Sequence, residues 1–232
     1  FPIFSMLSNM RSYDDVTYVH SINVSLICFI FSKWLHMSDS ETKLATLCGL
    51  LHDIGKMLVP ESIIKKPAKL TDKEYAQIKE HPVSGYNVLR ARGIDEHICN
   101  AALMHHERCD GSGYPLGLRR DQIDKYAKIV AIADVYDATT SARLYRGPLC
   151  PFTVIELFEN EGLAKYDPHC IMTFLQNIVN TYLLNTARLS DGTVAKIVFI
   201  NKDHLSQPTL KTEDGHFIDL SQRTDLKIEA II

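Results

Sequence analysis

The sequence predicts a mainly α protein: a helical bundle carrying a small β-rich appendage at its C-terminal end. Three observations predict it. Apolar residues recur at helical spacing along most of the first 185 residues. Cap residues and glycines punctuate those segments at intervals of a helix length. After about residue 188 the pattern changes to short β-branched runs separated by Asp-Gly turns. The expected division is therefore 1–187 for the helical part and 188–232 for the appendage. The appendage is too short to be stable alone and should pack on the helices.

The elements follow in order. Residues 16 to 35 form a helix with an apolar face at Val19, Ile22, Leu26, Phe29 and Ile30. Residues 41 to 51 form a second, with Ser38, Asp39 and Ser40 as cap candidates and Glu41 in the first turn. Thr71 and Glu74 make a capping box that opens a helix running toward Glu80. Pro82 opens another, which passes Leu89 and stops at Gly93. Residues 95 to 106 are helical in pattern, and four glycines and a proline make 107 to 121 a loop. The small and apolar residues of 127 to 141 suit a buried central helix. Residues 151 to 161 and 168 to 184 complete the helical part. Val194 to Ile200, Phe217 to Leu220 and Leu226 to Ile232 read as strands, with turns at Asp191-Gly192 and Asp214-Gly215.

Composition narrows the function classes. Of 232 residues, 46% are hydrophobic and 23% charged, which excludes a disordered tail, a fibre and a disulfide mini-protein. A net charge of -3 gives no strong field for a nucleic acid polymer or an acidic membrane. None of the six cysteines forms a CxxC pair, so they read as free thiols in a reducing, cytoplasmic setting. The apolar stretch Ile22 to Leu35 is short and interrupted by polar residues, so no membrane segment is expected.

Ten histidines are the unusual feature. His36, His97, His169, His204 and His216 are isolated and need no role beyond a hydrogen bond. His52 and Asp53 are adjacent, as are His105 and His106, and His81 precedes Pro82. His20 lies on the first long helix. Asp134 sits inside an apolar helix, where a carboxylate is costly unless paired or bound to a metal. Asp137 is expected to bond backbone or cap a neighbour. Imidazoles and carboxylates together suit Fe, Mn, Zn or Ni. Five histidines and two aspartates exceed what one catalytic zinc uses and suit two ions.

The runs His52-Asp53-Ile54-Gly55-Lys56 and His105-His106-Glu107-Arg108-Cys109-Asp110-Gly111-Ser112-Gly113-Tyr114-Pro115 resemble the HD-GYP family, a branch of the HD phosphohydrolase superfamily. The resemblance extends through Lys79-Glu80-His81-Pro82, the segment around Asp134, and Arg143-Leu144-Tyr145-Arg146. It implies an HD-type helical bundle with a metal centre inside. His20, His52, Asp53 and Asp134 would supply one site. His81, His105 and His106 would hold a further ion, with Asp53 as the bridge. The implied activity is hydrolysis of cyclic di-GMP to pGpG, and onward to GMP, by a metal-bridging hydroxide. Asp53 and Lys56 would be catalytic, and Lys56, Arg143 and Arg146 would hold the substrate. The implied cofactors are two divalent ions, Fe or Mn first, with Zn, Ni or Mg as alternatives. Some members bind a third ion through a Glu where this chain has Val16.

The loop of Asp110, Gly111, Gly113, Tyr114 and Pro115 would shape the entrance and contact partners such as GGDEF-type cyclases. An N-terminal sensor domain outside this chain is also implied. Two other readings stay open. One is a catalytically weak cyclic di-GMP receptor or partner-binding module. The other is an HD hydrolase acting on another nucleotide.

Overall fold

The computed structural model describes residues 2–141 and 149–232. Arg143 and Arg146 lie outside the described residues. The helices are α1 (Pro2–Tyr13), α2 (Asp15–Trp34), α3 (Asp39–Leu51), α4 (Glu61–Ile64), α5 (Asp72–Ile78), α6 (His81–Arg90), α7 (Glu96–Met104), α8 (Lys125–Thr140), α9 (Pro151–Lys165) and α10 (Pro168–Asn180). Short 3-10 turns occupy Ile54–Leu58 and Arg120–Gln122.

Local chemistry explains most of these boundaries. The Asp14 carboxylate accepts from the Val16 and Thr17 amides and starts α2 one residue after α1 ends. Ser38 with Glu41 and Thr71 with Glu74 form reciprocal capping boxes at α3 and α5. Gly93, with φ of +66°, turns the chain after α6, where an L side chain would be strained.

The bundle is built around α2 and α8. α2 packs on α3 and α8, α3 on α7 and α8, and α6 on α7 and the 3-10 turn. α2, α8, α9 and α10 enclose an aromatic cluster centred on Phe174. Its ring lies 5.1 Å from Phe31, 5.2 Å from Tyr136 and 6.0 Å from Trp34, with edge-to-face geometry in each case.

The face of α2 marked by apolar periodicity does not point inward. Val19, Leu26, Phe29 and Ile30 are exposed, and Ile22 is half-buried. The buried face carries Thr17, His20, Ser21, Val24, Ser25, Cys28, Phe31 and Ser32. Ser25 and Ser32 satisfy their hydroxyls on the carbonyls of Ile22 and Phe29, which makes burial of those small polar groups tolerable. By length and composition α2 is apolar enough to cross a bilayer, although here its inner side packs in the bundle.

The C-terminal strands are β1 (Thr186–Leu189), β2 (Val194–Asn201), β3 (His204–Thr212), β4 (Phe217–Asp219) and β5 (Ile228–Ile231). They form one antiparallel sheet in the order β4-β3-β2-β1-β5. Both Asp-Gly turns are present, with positive φ at Gly192 and Gly215. β1 begins at Thr186, two residues before the division read from the sequence, and β3, which contains Pro208, had no sequence signal. The sheet packs on α9 and α10. Its buried Ala187, Leu189, Ala195, Ile197, Leu205 and Leu210 join the same apolar core as the helices. The Glu159 carboxylate of α9 accepts from the Leu205 and Ser206 amides, at 2.6 Å and 3.1 Å.

Candidate metal centre

Another part of the bundle interior is polar. α2 presents His20, the end of α3 presents His52 and Asp53, the first turn of α6 presents His81, the end of α7 presents His105 and His106, and the middle of α8 presents Asp134. All seven residues singled out as metal ligands are therefore brought together. Three groups have ligand atoms within 4.8 Å of one another: His20, His52 and Asp134; His52, Asp53 and His105; and His81, His105 and His106. His52, Asp53, His81 and His105 are essentially inaccessible to solvent.

Hydrogen bonds fix the orientation of these rings. His52 Nδ1 lies 2.7 Å from the Gly49 carbonyl, and His81 Nδ1 lies 2.6 Å from the Ile78 carbonyl. His105 Nδ1 lies 3.0 Å from the Ala102 carbonyl. A carbonyl only accepts, so each Nδ1 carries a proton, and in the neutral ring, the form that binds a metal, each Nε2 presents a lone pair. Those lone pairs converge. His81 Nε2 faces His105 Nε2 at 3.2 Å, and both face Asp53 Oδ1, at 3.2 Å and 3.8 Å. His52 Nε2 and Asp53 Oδ1 are buried without a hydrogen-bond partner. Acceptors packed against acceptors repel unless a cation lies among them. The donor set thus fits metal ions.

Electrostatics agree. Burial, reinforced by the neighbouring histidines, holds the His105 ring well below the usual imidazole range. Burial brings His106 down to about 3. Both are neutral ligands at physiological pH. Burial opposes ionisation of Asp53 and Asp134, yet both carboxyls stay well below their usual range. Lys56 and His52 outweigh burial for Asp53, and His20 does so for Asp134.

His20 differs from the other rings. Its Nε2 lies 3.0 Å from Asp134 Oδ1, and its Nδ1 lies 2.6 Å from Asp137 Oδ2. Burial disfavours its charged form, but the two carboxylates prevail and raise its pKa to about 9. Asp137 corrects the sequence expectation. It bonds a ring that faces the centre, together with the Ser141 hydroxyl at 2.9 Å, and among the described residues its carboxylate neither caps a helix nor bonds backbone. Carboxylates behind metal-binding histidines fix ring orientation and raise ligand basicity. Its place one turn beyond Asp134 on the same helix was the available signal.

Lys56 reaches back from the 3-10 turn, with Nζ 2.5 Å from Asp53 Oδ2. It lies on the wall of a cleft of 430 Å³ shared with Asp15, Val16, Val19, His20 and Asn23.

The loop after α7 folds back over the centre. Tyr114 stacks on His106, with ring centroids 4.6 Å apart, and Lys79 Nζ sits 4.7 Å from the Tyr114 centroid. The buried Glu107 carboxylate accepts from the Leu116 and Leu118 amides, at 2.7 Å and 2.8 Å, and so closes the loop. Asp110 accepts from Ser112, and Gly111 has φ of +85°. Gly113 abuts the backbone of residues 106 to 108, where a Cβ would lie 2.4 Å from the Arg108 nitrogen. Pro115 follows a cis peptide bond. Sequence reasoning gave Glu107 no role; its position within the motif was the only hint. Gly55 plays a similar part beneath the centre. A Cβ there would lie 2.0 Å from the His81 carbonyl oxygen, so the chain of the 3-10 turn runs directly against α6.

Comparison with known proteins agrees with this architecture. A family model described as HD domain matches residues 8–170. The chain belongs to the HD-domain family. Over 207 residues it is 35% identical to the cyclic di-GMP phosphodiesterase PA4108 of Pseudomonas aeruginosa, covering 88% of this chain and 50% of that protein. Over 183 residues it is 37% identical to 3'3'-cGAMP-specific phosphodiesterase 1 of Vibrio cholerae, covering 78% and 42%. The chain thus spans about half the length of these relatives or less. Among solved structures, Bd1817 of Bdellovibrio bacteriovorus, an HDG"Y"P protein, superposes with a TM-score of 0.57 at 23% identity. That match covers 69% of this chain and 51% of Bd1817, and it supports the HD-domain fold.

Proposed function

We propose that this chain is a metal-dependent phosphodiesterase that opens cyclic dinucleotides, with cyclic di-GMP as substrate and pGpG as product. The convergence of bare Nε2 lone pairs on Asp53 carries the reading. Two divalent ions, Fe or Mn, would be held by His20, His52, Asp53 and Asp134 on one side and by His81, His105 and His106 on the other, with Asp53 shared. When bound, such ions lower the pKa of a water and neutralise charge on a phosphoryl oxygen. Val16 offers no ligand atom, so two ions are expected.

The protein's own groups do the remaining work. Asp137 holds the His20 ring through Nδ1. Tyr114 and the Glu107-pinned loop hold His106. Lys56, which pairs with Asp53, would be released from that carboxylate by a bound metal and could swing its flexible stem toward a phosphate in the cleft. Arg143 and Arg146 are proposed to bind the second phosphate. The exposed Leu116 beside Tyr114 supports the loop as a contact for partners such as GGDEF-type cyclases. Free thiols, most of them buried, and a bacterial second messenger as substrate support a cytoplasmic setting.

A second reading, hydrolysis of 3'3'-cGAMP, is favoured by the similarity to the Vibrio cholerae enzyme named for that substrate. Metal analysis of anaerobically purified protein, with product analysis on cyclic di-GMP, 3'3'-cGAMP and cyclic di-AMP, tests both. The expected result is about two ions per chain and pGpG as the fastest-forming product. Faster turnover of 3'3'-cGAMP would select the second reading. Tight binding with no product from any of the three, in metal-loaded protein, would make the chain a receptor.

A further inference from the structure

Among the described residues nothing covers the outer face of α2. Val16, Val19, Leu26, Phe29 and Ile30 are each between 46% and 57% exposed. With the half-buried Ile22 they form one stripe along a 20-residue helix. Five such side chains expose on the order of 400 Å², within the range of the largest apolar patch on a typical monomer. Positions 19, 22, 26 and 29 alternate steps of three and four, the spacing of a helix–helix seam. The stripe is bounded by Asp15 at one end and Lys33 at the other.

We propose that α2 pairs with α2 of a second copy of this chain in antiparallel orientation. The stripe is self-complementary about its midpoint at Val24. An antiparallel partner sets Val19 against Phe29, Ile22 against Leu26, and Asp15 against Lys33, each pair twice by symmetry. A parallel partner would instead set Asp15 against Asp15 and Lys33 against Lys33. Within one chain Lys33 pairs with Asp39 at 2.7 Å, and Asp15 stands 4.0 Å from Arg11. Both are solvent-exposed pairs that contribute little and exchange readily. With their polar flanks, two such faces bury roughly 1,000 Å², at the small end of specific interfaces.

The pairing also touches the cleft. Asp15, Val16, Val19 and Asn23 line it together with His20 and Lys56. Lys33 of the second copy therefore arrives on the rim of the cleft.

Sedimentation velocity of the 232-residue chain from about 1 to 100 µM tests the pairing without any nucleotide. Its outcome is independent of the phosphodiesterase reading. Wild type is expected to pass from monomer to dimer across that range. Leu26→Glu should weaken association at least about 10-fold, with unchanged circular dichroism and thermal unfolding. Lys33→Glu should weaken it too, and Asp15→Lys combined with Lys33→Glu should restore it. A monomer at the highest concentration, or a dimer indifferent to Leu26→Glu, would overturn the proposal. Failure of the double charge reversal to restore association would overturn the antiparallel register. Phosphatidylcholine vesicles binding the wild type but not Leu26→Glu would assign the stripe to a bilayer instead.

Discussion

α2 and α8 run through two interiors that are equally hidden from water and opposite in chemistry. Around Phe174 the rings of Phe31, Trp34 and Tyr136 meet edge to face, and burial itself is the stabilising force. Around Asp53 the side chains are just as deeply buried, but the groups that meet are acceptors and carboxylates, two of them without any partner. Burial there costs free energy. The first region explains why the bundle holds, and the second why it should hold more firmly with metal bound. Stability in one place keeps in position an arrangement that would not assemble by itself.

The contrast can be broken at either end. Phe174→Ala empties the aromatic cluster and should lose about 3–5 kcal/mol of stability. Urea unfolding should show the loss while metal affinity in the folded fraction stays within a few-fold. A large drop in metal affinity would mean that the two interiors are not separable. Asp53→Ala acts in the opposite sense. Turnover should fall by at least about 100- to 1,000-fold, with loss of bound metal, while the helical circular dichroism signal is retained. Retained full activity would sink the site assignment.

Smaller effects sharpen the boundary between the two regions. Asp137→Ala removes the group behind His20 and should weaken metal binding by about 10- to 100-fold, measured by competition with a chelating dye. An unchanged affinity would return Asp137 to a purely structural role.

The last prediction is a pH dependence confined to metal-free protein. The two carboxylates raise His20 above its ordinary pKa of 6.5, to about 9. Its proton therefore contributes stability that is fully present below pH 6.5 and is lost as pH rises through 9. The loss, on the order of 3 kcal/mol, should be visible in urea midpoints taken with a chelator present. It should vanish in metal-loaded protein, where His20 binds as the neutral ring. Identical profiles with and without metal would place His20 outside the ligand set.

Much of the site was legible because its ligands come as adjacent pairs in the sequence, His52-Asp53 and His105-His106, at helix ends where the chain turns inward. Helix starts were legible because capping is local chemistry, as at Ser38 and Thr71. What escaped was direction and partnership. Periodicity marked an apolar face of α2 but not which way it points, since the inner face mixes apolar residues with small polar ones, of which Ser25 and Ser32 bond carbonyls of their own helix. β3 escaped because Pro208 interrupts its pattern, although neighbouring strands supply its pairing. Asp137 and Glu107 escaped because their partners, a ring 117 residues away and two loop amides, exist only after folding.

One earlier detail bears on how the centre keeps its dimensions. Gly55 lies so near the His81 carbonyl that no side chain fits between them. The interval between the half of the site borne by His52 and Asp53 and the half borne by His81 is therefore gauged by main chain against main chain. Exchanging one ligand for another alters what is bound but leaves that gauge untouched. A single methyl group at position 55, which touches no ligand atom, would wedge the halves apart and detune every ligand at once.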